Sequence, residues 1–261
     1  MSCRAAPRPQ QGFGLIELMI AMTLGLILVL GVSQIFIAGK QSFVVQQHTA
    51  ALQENARFIL SRISRDLRQA GMFGCLNVAR LPATTRNQLP VEFAVPISFA
   101  NDVLKVITAV PVHDGITTTG TRQAADYGAR WLLATNCLDE LRIAAGSNSL
   151  QVEPGDFVIP IRQVEYRLDR HRVQTRLNGN GNFEVLIDDV AGFDMQFGLA
   201  ATPEQRAVDG AYVTNVAAAD NERIRSVRVA LSLSDNPANT ADGKVRVQQY
   251  TLVTALRNRL D

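Results

Sequence analysis

A single carboxylate, Glu17, stands at the head of a segment, Leu18 to Gly39, that carries no charge over 22 residues. An ionised carboxylate next to lipid hydrocarbon is costly unless it is paired or held near the headgroups, so Glu17 needs a partner. Four residues earlier lies Phe13, preceded by Gly12, a small residue that can mark a cleavage point ahead of the apolar block. Cutting that bond would leave the Phe13 amine within reach of Glu17, along one helix or from a neighbouring chain. The competing account is a carboxylate that snorkels to the headgroups.

Other groups with chemical potential are sparse. Of Cys3, Cys75 and Cys137, none has the CxxC or Cys/His spacing of a zinc or thioredoxin site. Loss of Cys3 with the first twelve residues leaves Cys75 and Cys137, which can form one bridge in an oxidising compartment or remain two buried thiols. His48, His113 and His171 show neither metal spacing nor a nucleophile motif, and no catalytic set converges, so an enzyme is not expected. His48 reads as a surface or packing residue, and His113 as the loop partner of Asp114. Asp235, Asn239, Asp242 and Gly243 form an oxygen-rich loop that fits no EF-hand pattern and reads first as a polar turn, second as a calcium site. No cofactor or metal is expected.

The element that must position Glu17 is a helix. Leu18 to Gly39 would extend about 33 Å as a helix, enough to cross a bilayer's hydrocarbon core. Arg4 and Arg8 precede it and Lys40 follows, which places the short N-terminal end in the cytoplasm and the remainder outside. No Ala-x-Ala-like site follows the apolar block, so it is expected to be retained. Gly25 and Gly31 can permit bending or close helix approach, or are simply tolerated. Beyond the block, Val45, Leu52, Ala56, Ile59, Ile63, Leu67 and Ala70 recur at helical spacing, and no proline lies between Pro9 and Pro82. One helix is expected from about Phe13 to Ala70, stopped by Gly71. Its remaining surface carries Arg57, Arg62, Arg65 and Arg68 with Glu54 and Asp66, as a solvated face or a contact with acidic neighbours.

After Gly71 the period shortens to that of strands. Val103 to Thr108, Phe157 to Leu168 and Val227 to Leu233 are candidates. Val173, Thr175 and Leu177 face Phe183, Val185 and Ile187 across Asn178-Gly179-Asn180-Gly181-Asn182, a hairpin signature. A last strand, Val245 to Leu256, shifts phase at Gln248 and Gln249 as a bulge would make it do, and Ala109 to Asp126 reads as an exposed loop. One long helix followed by many strands implies an α+β fold, with the helical stripe packed on an antiparallel β-sheet.

Composition narrows the class. The chain has 261 residues, 47% of them apolar and 19% charged, ordinary values for a folded protein. Without Arg4 and Arg8, basic and acidic side chains number 24 each. Such a balance lacks the basic excess of a phosphate-binding protein, so no nucleic acid partner is expected.

Gly12-Phe13-Gly14-Leu15-Ile16-Glu17 ahead of an apolar helix resembles the type IV prepilin signal, with Gly14 where a hydroxylated residue is more usual. The resemblance implies cleavage between Gly12 and Phe13 by prepilin peptidase, N-methylation of Phe13, and a role for Glu17 in assembly. Leu52-Gln53-Glu54-Asn55-Ala56-Arg57, Asp66-Leu67-Arg68-Gln69-Ala70-Gly71 and Gly74-Cys75 resemble the helical region of PilW-type minor pilins. Val190 to Gly198, Val227 to Leu231 and Leu256 to Arg259 are similar to that family's later strands, while about Leu76 to Val152 matches least.

The resemblance implies four segments: a cleaved leader (1–12), a membrane-spanning and filament-core half-helix (13–39), an amphipathic half-helix (40–71) and a β-rich periplasmic or extracellular domain (72–261). It further implies a minor pilin of a type IV pilus tip or priming complex, initiating assembly for adhesion and twitching motility. Its partners would be other minor pilins, the major pilin and a large tip adhesin. Before assembly the chain would cross the inner membrane once, and afterwards it would lie in the surface pilus. The nearest alternative is a minor pseudopilin of a type II secretion system.

Overall fold

The computed structural model describes residues 12, 14–78, 81–110, 119–239 and 246–259. The helix α1 runs Leu15–Arg68, 54 residues. Glu17 lies in its first turn and Arg65 and Arg68 in its last, so both ends complement the helix dipole. The chain turns at Gly71, whose φ of +70° suits a residue without Cβ and whose N–H donates to the Ile107 carbonyl at 2.8 Å.

Two compact units divide at Ala51 and Leu52. In the first, the apolar side chains of α1 are uncovered: Leu15 is 77%, Ile35 74% and Phe36 72% exposed. Val45, expected to begin the buried stripe, belongs to this unit and is also exposed. In the second unit the stripe starts at Leu52 and continues through Ala56, Ile59, Ile63 and Leu67, with Ala70 buried just beyond the helix. Each fully buried Ile or Leu there contributes about 1.5–3 kcal/mol of hydrophobic stabilisation.

Twelve strands are assigned among the described residues, and every pairing is antiparallel, giving an α+β architecture with pilin-like organisation. The larger sheet comprises β1 (Ile97–Ala100), β2 (Val103–Ala109), β4 (Trp131–Thr135), β5 (Leu141–Ala145), β7 (Phe157–Asp169), β8 (Arg172–Leu177) and β9 (Glu184–Ile187). β7 organises it. Ile161 pairs with Ala109 on one side and Trp131 on the other, and Val164 pairs with Val106 and Leu177. Its buried run places Ile159, Ile161, Val164 and Tyr166 in the apolar cores, while the buried Gln163 and Glu165 are satisfied by polar partners: Gln163 Nε2 donates to Glu165 at 2.5 Å, and Arg176 pairs with Glu165 at 2.6 Å. A second sheet is ordered β10 (Val190–Leu199), β11 (Ile224–Ser234), β12 (Val247–Ala255). A small ribbon pairs β3 (Gly120–Gln123) with β6 (Ser149–Val152).

The helical stripe shares one core with both larger sheets: Leu104, Val106, Val164 and Tyr166 from one, and Met195, Phe197, Val227, Val229 and Leu231 from the other. A separate core beneath β4 and β7 gathers Phe73, Phe93, Trp131, Leu133, Ile159 and Ile161. Phe93 meets Trp131 edge-on at 5.3 Å between centroids, a favourable quadrupolar arrangement.

The hairpin forms where the Asn-Gly steps predict it. Val173 pairs with Ile187, Gln174 with Val185 and Thr175 with Glu184, with a register shift after Val173. Asn178, Gly179 and Gly181 have positive φ. The guanidinium groups of Arg167 and Arg176 lie 3.9 and 4.3 Å from the Phe183 ring centre, which anchors the hairpin tip by cation–π attraction.

Two local expectations are corrected. β12 pairs with β11 in unbroken register from Val247 to Ala255, so no bulge occurs at Gln248 and Gln249. Gln248, Tyr250, Leu252 and Thr254 all point inward, and the glutamine is accommodated because the Tyr250 hydroxyl donates to its side-chain oxygen. The β10–β11 pairing does shift register, near Val190 to Gly192 and near Gly198 to Leu199. Of the expected loop from Ala109 to Asp126, residues 111–118 lie outside the described residues, and the described part holds structure: Ala109 ends β2, β3 spans Gly120–Gln123, and a short 3-10 turn follows, Ala124–Tyr127. That turn is capped reciprocally by Gln123 and Asp126.

Candidate functional site

Gly14 immediately precedes α1, and its carbonyl accepts from the backbone N–H groups of Glu17 at 3.0 Å and Leu18 at 3.2 Å. These bonds seat Glu17 in the first turn. Its side chain is exposed and has no ion pair or hydrogen bond among the described residues. Gly12 is described, but Phe13, and with it the expected bond to be cut and methylated, lies outside the described residues. α1 is the one described helix long and apolar enough to cross a membrane, and the qualifying stretch is uncovered. A Cβ built at Gly25, Gly31 or Gly39 would meet nothing within 4 Å. An apolar surface of this length, headed by one unpaired carboxylate, lacks its environment within a single chain.

The second unit holds a contact that spacing alone misplaced. Asp66, expected among the exposed charges, is buried: the Tyr166 hydroxyl donates to one of its oxygens, and Arg162 approaches the other at 3.5 Å. Asp66 immediately precedes Leu67 on the inward face, and no signal along the helix distinguishes a carboxylate facing water from one facing a tyrosine of a distant strand. Nearby, Thr254 donates to Ser64 at 3.0 Å, tying α1 to β12.

Burial and the adjacent Asp66 carboxylate push the Tyr166 phenol well above its ordinary 10.0. A raised folded-state value means that this contact stabilises the fold below pH 10 and that its contribution is lost as pH climbs. Denaturation measured from about pH 10 upward, against a baseline at lower pH, should therefore show falling stability, with a clearly shallower fall in Tyr166→Phe. Equal slopes would refute the assignment.

Cys75 and Cys137 are joined as a disulfide, with 5.7 Å between Cα atoms, linking the segment after α1 to the β4–β5 turn. Cys137 has a φ of +65°, and its position is held by neighbours: its N–H donates to Thr135 Oγ1 at 3.0 Å, and Asn136 Oδ1 accepts the N–H groups of Leu138, Asp139 and Glu140. Another buried group missed in the sequence is Arg225. Its guanidinium donates to the carbonyls of Pro203, Gln205 and Glu222, pinning the segment after β10, and burial lowers its affinity for the proton.

The remaining candidates stay apart. His48 is exposed on α1, and the His171 ring lies 3.2 Å from the Val190 carbonyl in the turn between β7 and β8. His113, Asp114, Asp242 and Gly243 lie outside the described residues, which hold no metal-binding cluster of His, Cys, Asp and Glu side chains.

Residues 7–33 match the family described as the prokaryotic N-terminal methylation motif. No curated protein matches the chain. Together with the uncovered N-terminal helix and the antiparallel sheets, the motif supports a type IV pilin- or pseudopilin-like protein. It implies processing by prepilin peptidase and assembly with other pilins, and it fits membrane anchoring. Pilin-like proteins are generally not enzymes.

Proposed function

We propose that the chain is a minor pilin of a type IV pilus, of the PilW type, acting in a tip or priming complex that initiates assembly for adhesion and twitching motility. The observation that carries this reading is the apolar stretch of α1, uncovered in the single chain and headed by Glu17, within a region that matches the methylation motif. Lipid covers it before assembly and sister helices cover it afterwards, so the transfer keeps apolar surface dry throughout.

In this proposal the segments are a leader (1–12), a spanning half-helix (13–39), an amphipathic half-helix (40–71) and an outer domain (72–261). Prepilin peptidase cuts between Gly12 and Phe13 from the cytoplasmic side of the inner membrane, and the new Phe13 amine is methylated. Glu17 pairs with the amine of an adjacent subunit in the filament. Partners are other minor pilins, the major pilin and a large tip adhesin.

Intact-mass analysis tests the processing step. Expression with prepilin peptidase should yield a polypeptide shorter by the first twelve residues and heavier by one methyl group than plain truncation predicts. Expression without it should leave the original N-terminus. An unprocessed native polypeptide in normally piliated cells would refute the proposal. A minor pseudopilin of a type II secretion system would share the leader and fold. Deletion separates the two: loss of surface pili supports the pilus, and loss of exoprotein release with pili intact supports the secretion system.

A further inference from the structure

A groove of about 840 Å³ runs between the last turns of α1 and the end of β12, wholly within the second unit. Arg57, Arg65 and Arg68 line its helical wall, and Arg257, in the turn after β12, lines the other. At 100° per residue, positions 57, 65 and 68 fall within a narrow arc, so the three arginines form one ridge. Between the walls, Leu60 and the half-buried Leu252 offer apolar surface.

All four arginines are exposed, and among the described residues none forms an ion pair or hydrogen bond. Several arginines elsewhere in the fold are matched, among them Arg142 with Glu153 and Asp156, Arg176 with Glu165 and Arg223 with Asp220; what sets these four apart is that they line one groove. The helix dipole favours Arg65 and Arg68 in the last turn, yet it gives no reason for Arg57, two turns earlier, or for Arg257 across the groove. Four like charges around one apolar floor repel one another, and among the described residues no ion pair offsets them.

We infer that this groove binds an acidic segment of a neighbouring protein subunit, with carboxylates bridging the two arginine walls and an intervening aliphatic side chain on Leu60 and Leu252. Guanidinium groups suit this task because their planar donors grip carboxylates in pairs and are only weakly hydrated. The groove lining contains no aromatic side chain on which a base could stack, and the chain has no basic excess, which disfavours a nucleic acid strand. Naming the neighbour as a filament subunit rests on the function proposed above. The groove itself does not depend on that reading, and a failure of leader processing would leave it intact.

The test uses full-length protein in non-ionic detergent and three fluorescent probes: a peptide alternating Glu and Leu, its Gln-for-Glu counterpart, and a single-stranded oligonucleotide of equal charge. The acidic peptide should bind at least about tenfold more tightly than the Gln peptide and the oligonucleotide, and should weaken as salt rises. Arg57→Glu with Arg257→Glu should reduce its binding at least about tenfold, and Arg57→Gln with Arg257→Gln by less, with melting temperatures unchanged. Leu252→Ser should weaken the peptide and leave its salt dependence alone. Oligonucleotide binding equal to or tighter than the peptide's, or equal binding by all variants, or no peptide binding, would overturn the inference.

Discussion

Glu17→Gln is expected to reduce incorporation into filaments by roughly an order of magnitude or more while membrane insertion stays unchanged. The substitution keeps the shape and removes only the charge. A carboxylate deep in a bilayer costs about 2.5–3.5 kcal/mol on insertion scales, less near an interface, so its neutral counterpart should insert at least as readily. The loss must then come from the contact it makes once neighbours are present, since among the described residues of the single chain Glu17 has none. Shearing pili from cells and blotting both fractions measures incorporation, and intact mass confirms that cleavage is unimpaired. Normal incorporation of a correctly cleaved Glu17→Gln protein would remove the pairing role.

Removing the Cys75–Cys137 bridge should destabilise the second unit by about 4 kcal/mol. The bond spans 62 residues, and in the chain-entropy description a closed loop of that length restricts the unfolded ensemble by this much. Such a loss exceeds a hundredfold in the folding equilibrium and is a large share of the stability of an ordinary domain. Cys75→Ser and Cys137→Ser should behave alike and match the reduced wild type in denaturant melts. A change below about 1 kcal/mol would show that the unfolded chain is already constrained without the bridge. Because the loop it closes contains β1 to β4, the β-rich part of the chain is the region most exposed by reduction.

Much of this architecture was legible because its signals are local. The uncharged stretch before Lys40, the stripe from Leu52 to Leu67 and the Asn-Gly hairpin each depend on residues within a few positions of one another. What was not legible depended on partners far along the chain. Asp66 reads as a surface charge until Tyr166, one hundred residues on, is brought beside it. Arg225 precedes the expected strand Val227 to Leu233 and carries no local signal, because the Pro203 and Gln205 carbonyls it binds lie about twenty residues away. The Gln248–Gln249 step read as a bulge because inward glutamine breaks a polarity pattern, yet a hydrogen bond from Tyr250 keeps the alternation intact. Among the candidate site residues, Glu17 was found from its rarity in an apolar setting. The groove was missed because Leu252 and Arg257 join Arg57 and Arg65 only in three dimensions.

The buried Asp66 has a geometric consequence. Turning the last helical turns by one residue, 100° of azimuth, would carry its carboxylate away from the tyrosine and strand both polar groups among apolar side chains. The contact therefore acts as a key that clocks this end of the helix against the strands. Any neighbour that grips the outward arginine ridge meets a face whose bearing is already set, and takes its own orientation from it.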